Sequence, residues 1–132
     1  MTDSGLEELS EDQCWTLLAD ERVGRLAVSV ANRPDIFPVN YRLDGNTVVV
    51  KTAPGFKLAA ATLGTAVAFE VDRLDDEART GWSVVIHGRA SEIQRLEDLL
   101  DADDLAVDPW AGGKKNHYIR IEPTEVTGRR IT

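Results

Sequence analysis

Ile36-Phe37-Pro38-Val39-Asn40-Tyr41-Arg42-Leu43-Asp44-Gly45-Asn46-Thr47-Val48-Val49-Val50-Lys51-Thr52 is the stretch from which the fold is read. Asp44-Gly45 between two β-prone runs is the strongest short hairpin signal in the chain. It predicts one strand over residues 36–43 and a second over 47–52. Pro38 cannot donate to a ladder, so its position must be an edge or a bulge. Val48-Val49-Val50 puts apolar side chains on both faces, and so does Trp82-Ser83-Val84-Val85-Ile86. A half-solvated antiparallel strand alternates instead. Such strands need cover on both sides: the barrel interior on one, and a helix, a ligand or a second subunit on the other. This pattern points to a dimer.

Toward the N-terminus, residues 24–30 read as a strand and 31–35, with Asn32 and Pro34, as a turn. Ser10 and Gln13 have capping-box spacing, with Glu11 and Asp12 in the first turn. A helix is predicted from there to about Asp20, with Cys14, Trp15, Leu17 and Leu18 as its apolar stripe. Toward the C-terminus, Pro54-Gly55 stops the strand and 56–63 reads as a short helix. Strands are expected over 65–71 and 82–90, with a charged loop over 72–81 between them. A helix over 92–100, an acidic loop through Asp108 and an irregular stretch over 109–115 follow. Residues 117–122 read as a sixth strand and 126–131 as a seventh.

Strands outnumber helices, and hairpins or short loops join several of them. The expectation is a mainly β (α+β) fold, an antiparallel sheet closed into a small barrel with short helices outside. The 132 residues, 42% hydrophobic and 29% charged, suit one domain over the whole chain with one core and no staples. Fifteen basic against 23 acidic residues give a net charge of −8. An acidic surface repels nucleic acid and anionic lipid, so neither is an expected partner. No apolar run approaches the roughly 20 residues that span a bilayer. The polar start, Met1-Thr2-Asp3-Ser4-Gly5, does not read as a signal peptide. The single cysteine, Cys14, permits no internal disulfide. A cytoplasmic location is expected.

The usual catalytic constellations are missing: no CxxC, HExxH, Walker loop or nucleophile elbow occurs. Cys14 lies on the helix stripe and reads as a small buried hydrophobe. His87 and His117 are the only histidines and read as structural or surface residues rather than zinc ligands. The acidic residues between Glu97 and Asp108 lack EF-hand spacing. No catalytic residue and no metal ligand is assigned. A domain of this kind can be a binding module or a cofactor enzyme, because a flavin carries its own redox chemistry. Two segments suit a phosphorylated flat cofactor. Val50-Lys51-Thr52-Ala53-Pro54-Gly55-Phe56-Lys57-Leu58 runs from a strand end through a turn into a helix start, where N–H groups and lysines attract anions. Phe37-Pro38-Val39-Asn40-Tyr41 is an irregular strand that can leave backbone groups for a ligand. A solvated lysine and a plain edge strand remain the alternatives for these segments taken singly.

In order along the chain stand Gly24-Arg25-Leu26-Ala27, Pro38-Val39-Asn40-Tyr41, Lys51-Thr52-Ala53 with Gly55, Lys57 and Leu58, then Trp82-Ser83-Val84-Val85-Ile86-His87-Gly88 and Pro109-Trp110-Ala111. This set resembles the pyridoxamine 5'-phosphate oxidase-like family of flavin-binding split β-barrels. The resemblance implies a six-stranded, homodimeric split barrel with two FMN sites at the dimer interface. By the same resemblance Lys57, with Leu58 beside it, holds the flavin phosphate, and Lys51 and Thr52 lie beside phosphate and ring. The backbone of Pro38, Val39, Asn40 and Tyr41 lines the isoalloxazine, and Val39, Tyr41 and Trp82 wall it with their side chains. Trp82 and Ser83 join the site, often across the dimer, and Trp110 covers the ring. Lys51 stands where relatives often carry arginine, a point charge in place of a bidentate fork.

The resemblance thus implies an FMN-dependent oxidoreductase acting on a small molecule. The alternatives are a deazaflavin-dependent reductase, with Lys114, Lys115 and Arg120 as candidates for the longer anionic tail, or a non-catalytic cofactor-binding dimer. The chain is short and shows no basic and histidine set for a vitamer phosphate, which argues against pyridoxamine 5'-phosphate itself as substrate.

Overall fold

The hairpin over residues 36–52 forms, and its first strand is longer than expected. In the computed structural model, which describes residues 5–52, 66–93 and 117–131, β3 (Arg33–Asp44) pairs with β4 (Thr47–Thr52) through Asp44↔Thr47. Gly45 takes φ 60° at the first central position of the turn, a backbone state that glycine adopts without steric cost. At its other end β3 pairs with β2 (Val23–Val30). The turn expected over 31–35 shrinks to Ala31 and Asn32, both left-handed at φ 52° and 64°, as a tight hairpin requires.

Pro34 and Pro38 therefore lie inside β3, and alternation explains why they are tolerated. The Tyr41 amide donates to the Arg22 carbonyl at 2.9 Å, so odd-numbered residues of β3 bond toward β2. The nitrogens of Pro34 and Pro38 face the other way, where the pairing with β4 has already ended at Asn40↔Lys51. Pro38 is at a half-edge: one neighbour strand on its donor-free side would have needed the N–H it lacks.

Three further expectations are corrected. The charged loop over 72–81 is mostly strand: β5 (Ala66–Asp75) and β6 (Thr80–Glu92) pair down to Asp75↔Thr80, leaving only residues 76–79 as the turn. The Asp75 carboxylate accepts from the Glu77 and Ala78 amides at 3.1 Å each and organises that turn. The sixth and seventh strands are one, β7 (His117–Ile131). Pro123, in the gap between the two expected strands, sits opposite Gly88 beside a register shift that accommodates it. Glu92 closes β6 rather than opening a helix, and Ile93 continues by donating to the Tyr118 carbonyl at 2.9 Å. The rest of that helix, the helix over 56–63 and the stretch through 115 lie outside the described residues. A short strand that carries no strand signal, β1 (Leu6–Leu9), pairs with the end of β7.

The strands run in the order β1-β7-β4-β3-β2-β5-β6, and β6 also pairs with β7. Strands β2 to β7 thus close a six-stranded antiparallel split barrel, and β1 extends one end. The helix α1 (Glu11–Ala19) is capped as expected: Ser10 Oγ accepts from the Gln13 amide at 3.2 Å and Gln13 Oε1 accepts from the Ser10 amide at 2.8 Å. Its Cys14 and Leu18, one turn apart, join a core formed by Leu26, Val48, Val50, Phe69, Ile86, Ile119 and Ile121.

Val49 points away from this core yet is wholly buried in the single chain. The double cover expected for the valine run is therefore supplied within one chain, and this strand needs no second subunit. Around it on the outer face stand its partners Arg42 and Arg120. Among the described residues no helix is long and apolar enough to cross a membrane.

Candidate functional site

Parity along β3 sorts the expected ligand-binding strand into two faces. Val39 and Tyr41 turn inward and are buried in the core. The Tyr41 ring meets Phe69 edge-on at 5.0 Å, and its hydroxyl donates to the Leu18 carbonyl at 2.6 Å. Burial, then the Glu21 charge, pushes the phenol well above its ordinary range, with Arg22 opposing. The side-chain wall expected from Val39 and Tyr41 is thus corrected: these rings and methyls belong to the barrel interior. Their backbone amides and carbonyls point toward β2 and bond into that ladder.

Pro38, Asn40 and Arg42 take the outer face. Asn40 pairs with Lys51, and Lys51 with Tyr118, so the three form one row across β3, β4 and β7. Asn40 is 9% exposed and Tyr118 3%. Lys51 Nζ lies 5.3 Å from the centroid of the Tyr118 ring, a cation–π contact that steadies the ammonium at the end of β4. The next row is Arg42, Val49 and Arg120. Arg42 Nε is buried and has no hydrogen-bond partner among the described residues. Arg120 is engaged: its Nη1 donates to Asp44 Oδ2 at 2.9 Å and to Thr47 Oγ1 at 2.7 Å. That commitment counts against Arg120 as an anchor for a long anionic tail.

Beyond Pro38 the outer row continues to Arg25 and Glu70. Arg25 Nη1 reaches Glu70 Oε1 at 3.2 Å and Asp72 Oδ1 at 3.5 Å. Burial raises the Glu70 carboxyl to about 7, helped by the hydrogen bond and charge of Asp72 and opposed by Arg25. Two carboxyls two residues apart on one strand face share a single cation here.

Lys51 and Asn40 are therefore brought together, with Pro38 along the same face. Thr52 ends β4, opposite His117. Ser83 is on the outer face opposite Asp72, and Trp82 precedes it. Both sit three strands from Asn40, around 14 Å over the barrel surface at usual strand spacing. Lys57, Leu58 and Trp110 lie outside the described residues. Sequence reasoning missed Arg42, which alternation from Asn40 would have placed on the same face. It also missed Tyr118, which no local signal ties to Lys51, because the link is a β4–β7 pairing.

The donor set suits an anionic, flat cofactor: a steadied lysine, an arginine nitrogen short of a partner, a buried amide side chain and the open side of β3. Among the described residues neither the cysteine nor His87 joins it. Cys14 is buried, and burial with the Glu11 charge raises its thiol. His87 is exposed, its Nδ1 3.7 Å from Glu125 Oε1.

The family model for pyridoxamine 5'-phosphate oxidase matches residues 10–130. A Corynebacterium glutamicum structure provisionally named a pyridoxamine 5'-phosphate oxidase is 35% identical, with 100% of this chain and 97% of that one covered and a TM-score of 0.87. A structure described as the FAD-binding protein of Mycobacterium smegmatis is 36% identical, with 95% and 98% covered and a TM-score of 0.82. A FAD-binding protein of Mesorhizobium loti is 27% identical, with 96% and 99% covered and a TM-score of 0.80. With nearly its whole length matched and the same barrel formed, the chain belongs to the pyridoxamine 5'-phosphate oxidase family.

Proposed function

We propose that the protein is a flavin-dependent oxidoreductase that binds FMN as a homodimer and acts on a small molecule. The observation that carries this reading is the row Asn40–Lys51–Tyr118 beside Arg42 Nε, a cationic and nearly dry strip at the end of β4. A bound flavin supplies the electron transfer. The chain supplies binding and orientation: Lys51, Thr52 and Lys57, with Leu58 adjacent, hold the phosphate. Each charge-assisted hydrogen bond there contributes about 1.5–3 kcal/mol. The backbone of Pro38, Val39, Asn40 and Tyr41 lies along the ring. Trp82 and Ser83 reach the ring from the second subunit, and Trp110 covers it.

FAD is the second reading, favoured by two similar structures whose descriptions name that cofactor. It shares the ring and the proximal phosphate, so the same residues serve. The test is the absorption spectrum after mild purification, repeated with added FMN and FAD, with mass analysis of any released flavin and sedimentation of the loaded protein. A yellow dimer that oxidises a nicotinamide donor is expected. A colourless protein that stays colourless with both flavins overturns the reading.

A further inference from the structure

β2 and β5 are neighbours at the middle of the order β4-β3-β2-β5-β6, with β7 beyond, and their outward residues form the middle of the barrel wall. Ala27 pairs with Ala68 there, so each strand carries only a methyl group at that point. One row along, Arg25 pairs with Glu70. Arg25 spends Nη1 on both Glu70 Oε1 and Asp72 Oδ1, and keeps 51% of its side chain in solvent. The two rows extend to Ile36 and Pro38 on β3 and to Val85 and His87 on β6. Ile36 is 65% exposed, and Pro38 is exposed beside it.

The strand order makes this wall self-complementary. A second copy turned about an axis along the line between β2 and β5 sets β2 against the partner's β5, β3 against its β6 and β4 against its β7. Ala27 then meets the partner subunit's Ala68, and that small pair lets the walls approach. Arg25 meets the partner subunit's Glu70 once in each half of the seam, so opposite charges face each other twice. Pro38 meets the partner subunit's Val85, which covers apolar surface. Two residues further along the same strands, Asn40 comes opposite the partner subunit's Ser83, and Lys51 opposite the partner subunit's Arg129. Ser83, three strands from Asn40 within one chain, thereby joins the same site. Arg129 is exposed and in no ion pair among the described residues. Like charges facing each other cost free energy unless an anion lies between them. The walls of two barrels curve apart on either side of the axis, which leaves a slot for that anion.

We propose that a second copy of the chain docks on the β2–β5 face in this register, Arg25 meeting the partner subunit's Glu70, so that the partner subunit's Arg129 faces Lys51 across the flavin phosphate. This rests on the dimeric flavin reading above and adds to it the register of the seam and a phosphate ligand in trans.

The test is sedimentation of the full chain, alone and with FMN, together with fluorescence titration of flavin. The parent is expected to be a dimer. Arg25→Glu and Glu70→Arg each set like charges against each other across the seam, and each should sediment as a monomer with the parent's circular dichroism. Mixed one to one, the two variants should dimerise again. Both seam pairs then regain opposite charges while the pair inside each chain stays like-charged, so rescue cannot come from the internal contact. Arg129→Gln changes an exposed position and tests the register independently of those variants. It should keep the dimer and raise the FMN dissociation constant at least tenfold. Riboflavin, which lacks the phosphate, should bind it within twofold of the parent. Arg33→Gln, at the far end of β3, should leave FMN affinity within twofold. A monomeric parent overturns the proposal, as does a dimeric Arg25→Glu, a mixture that stays monomeric, or unchanged FMN affinity in Arg129→Gln. A yellow dimer indifferent to both charge reversals ends this seam and leaves the flavin reading standing. A colourless dimer whose variants rescue each other ends the flavin reading and leaves the seam.

Discussion

The Tyr41 hydroxyl donates to the Leu18 carbonyl across 2.6 Å, joining the middle of β3 to the last turn of α1. The Glu21 amide also donates to that carbonyl, at 3.4 Å, so the phenol is its shorter partner. Tyr41→Phe keeps the ring on Phe69 and removes one buried hydrogen bond. A loss of about 1 kcal/mol is expected in urea unfolding. Flavin affinity should stay the same, because the side chain lies inside the barrel and not on the strip that holds Lys51.

A second contact joins the same helix to β7. A Cβ placed on Gly128 would stand 2.5 Å from Cys14 Sγ, so close that the buried thiol or the backbone has to shift. Gly128→Ala should therefore cost about 1–3 kcal/mol through overpacking. Cys14→Ala opens space at the same point, so the double variant should lose less than the two single losses combined. A double-mutant cycle with additive losses would disprove the clash.

Glu70 makes stability depend on pH in an unusual direction for a carboxylate. Its folded value is raised to about 7, chiefly by burial, so the folded state binds the proton more tightly than the unfolded one. Its contribution is fully present below the unfolded value near 4.5 and is lost as pH rises toward 7. The fall is on the order of 1–3 kcal/mol. Glu70→Gln cannot titrate, so urea midpoints measured at acidic and mildly alkaline pH should draw together. An unchanged pH slope in the variant would overturn the assignment to Glu70.

For the flavin phosphate, Lys57→Ala should weaken FMN binding at least tenfold, with Lys51→Gln weakening it by a smaller factor because the Tyr118 ring remains. Fluorescence quenching of the titrated flavin reads both. Unchanged affinity in Lys57→Ala means that the phosphate lies elsewhere.

The short-range features were legible where one residue type has a single physical use. Ser10 with Gln13 closes a capping box, and glycine after Asp44 enters a left-handed turn. The apolar run Val48-Val49-Val50 correctly announced cover on both faces. What misled was local punctuation. Pro34 read as part of a turn and residues 123–125 as a gap between two strands, yet Pro34 occupies a strand position where no ladder donor is required and Pro123 one where a bulge intervenes. The charges over 72–75 read as a loop, but pairing with β6 holds them extended, since strand propensity yields to a partner. Of the candidate site, Pro38, Asn40 and Lys51 were legible as a set only through the family resemblance; the inward turn of Tyr41 was not.

By itself the amino-acid order determined the helix cap, the central hairpin, the number of apolar faces and the class of fold, because each depends on neighbours within a few residues. The closing of β6 on β7, the capture of β1 and the meeting of Lys51 with Tyr118 were decided only in three dimensions. Those contacts join residues far apart in the chain, and one step of strand register would have sent each of their side chains to the opposite face.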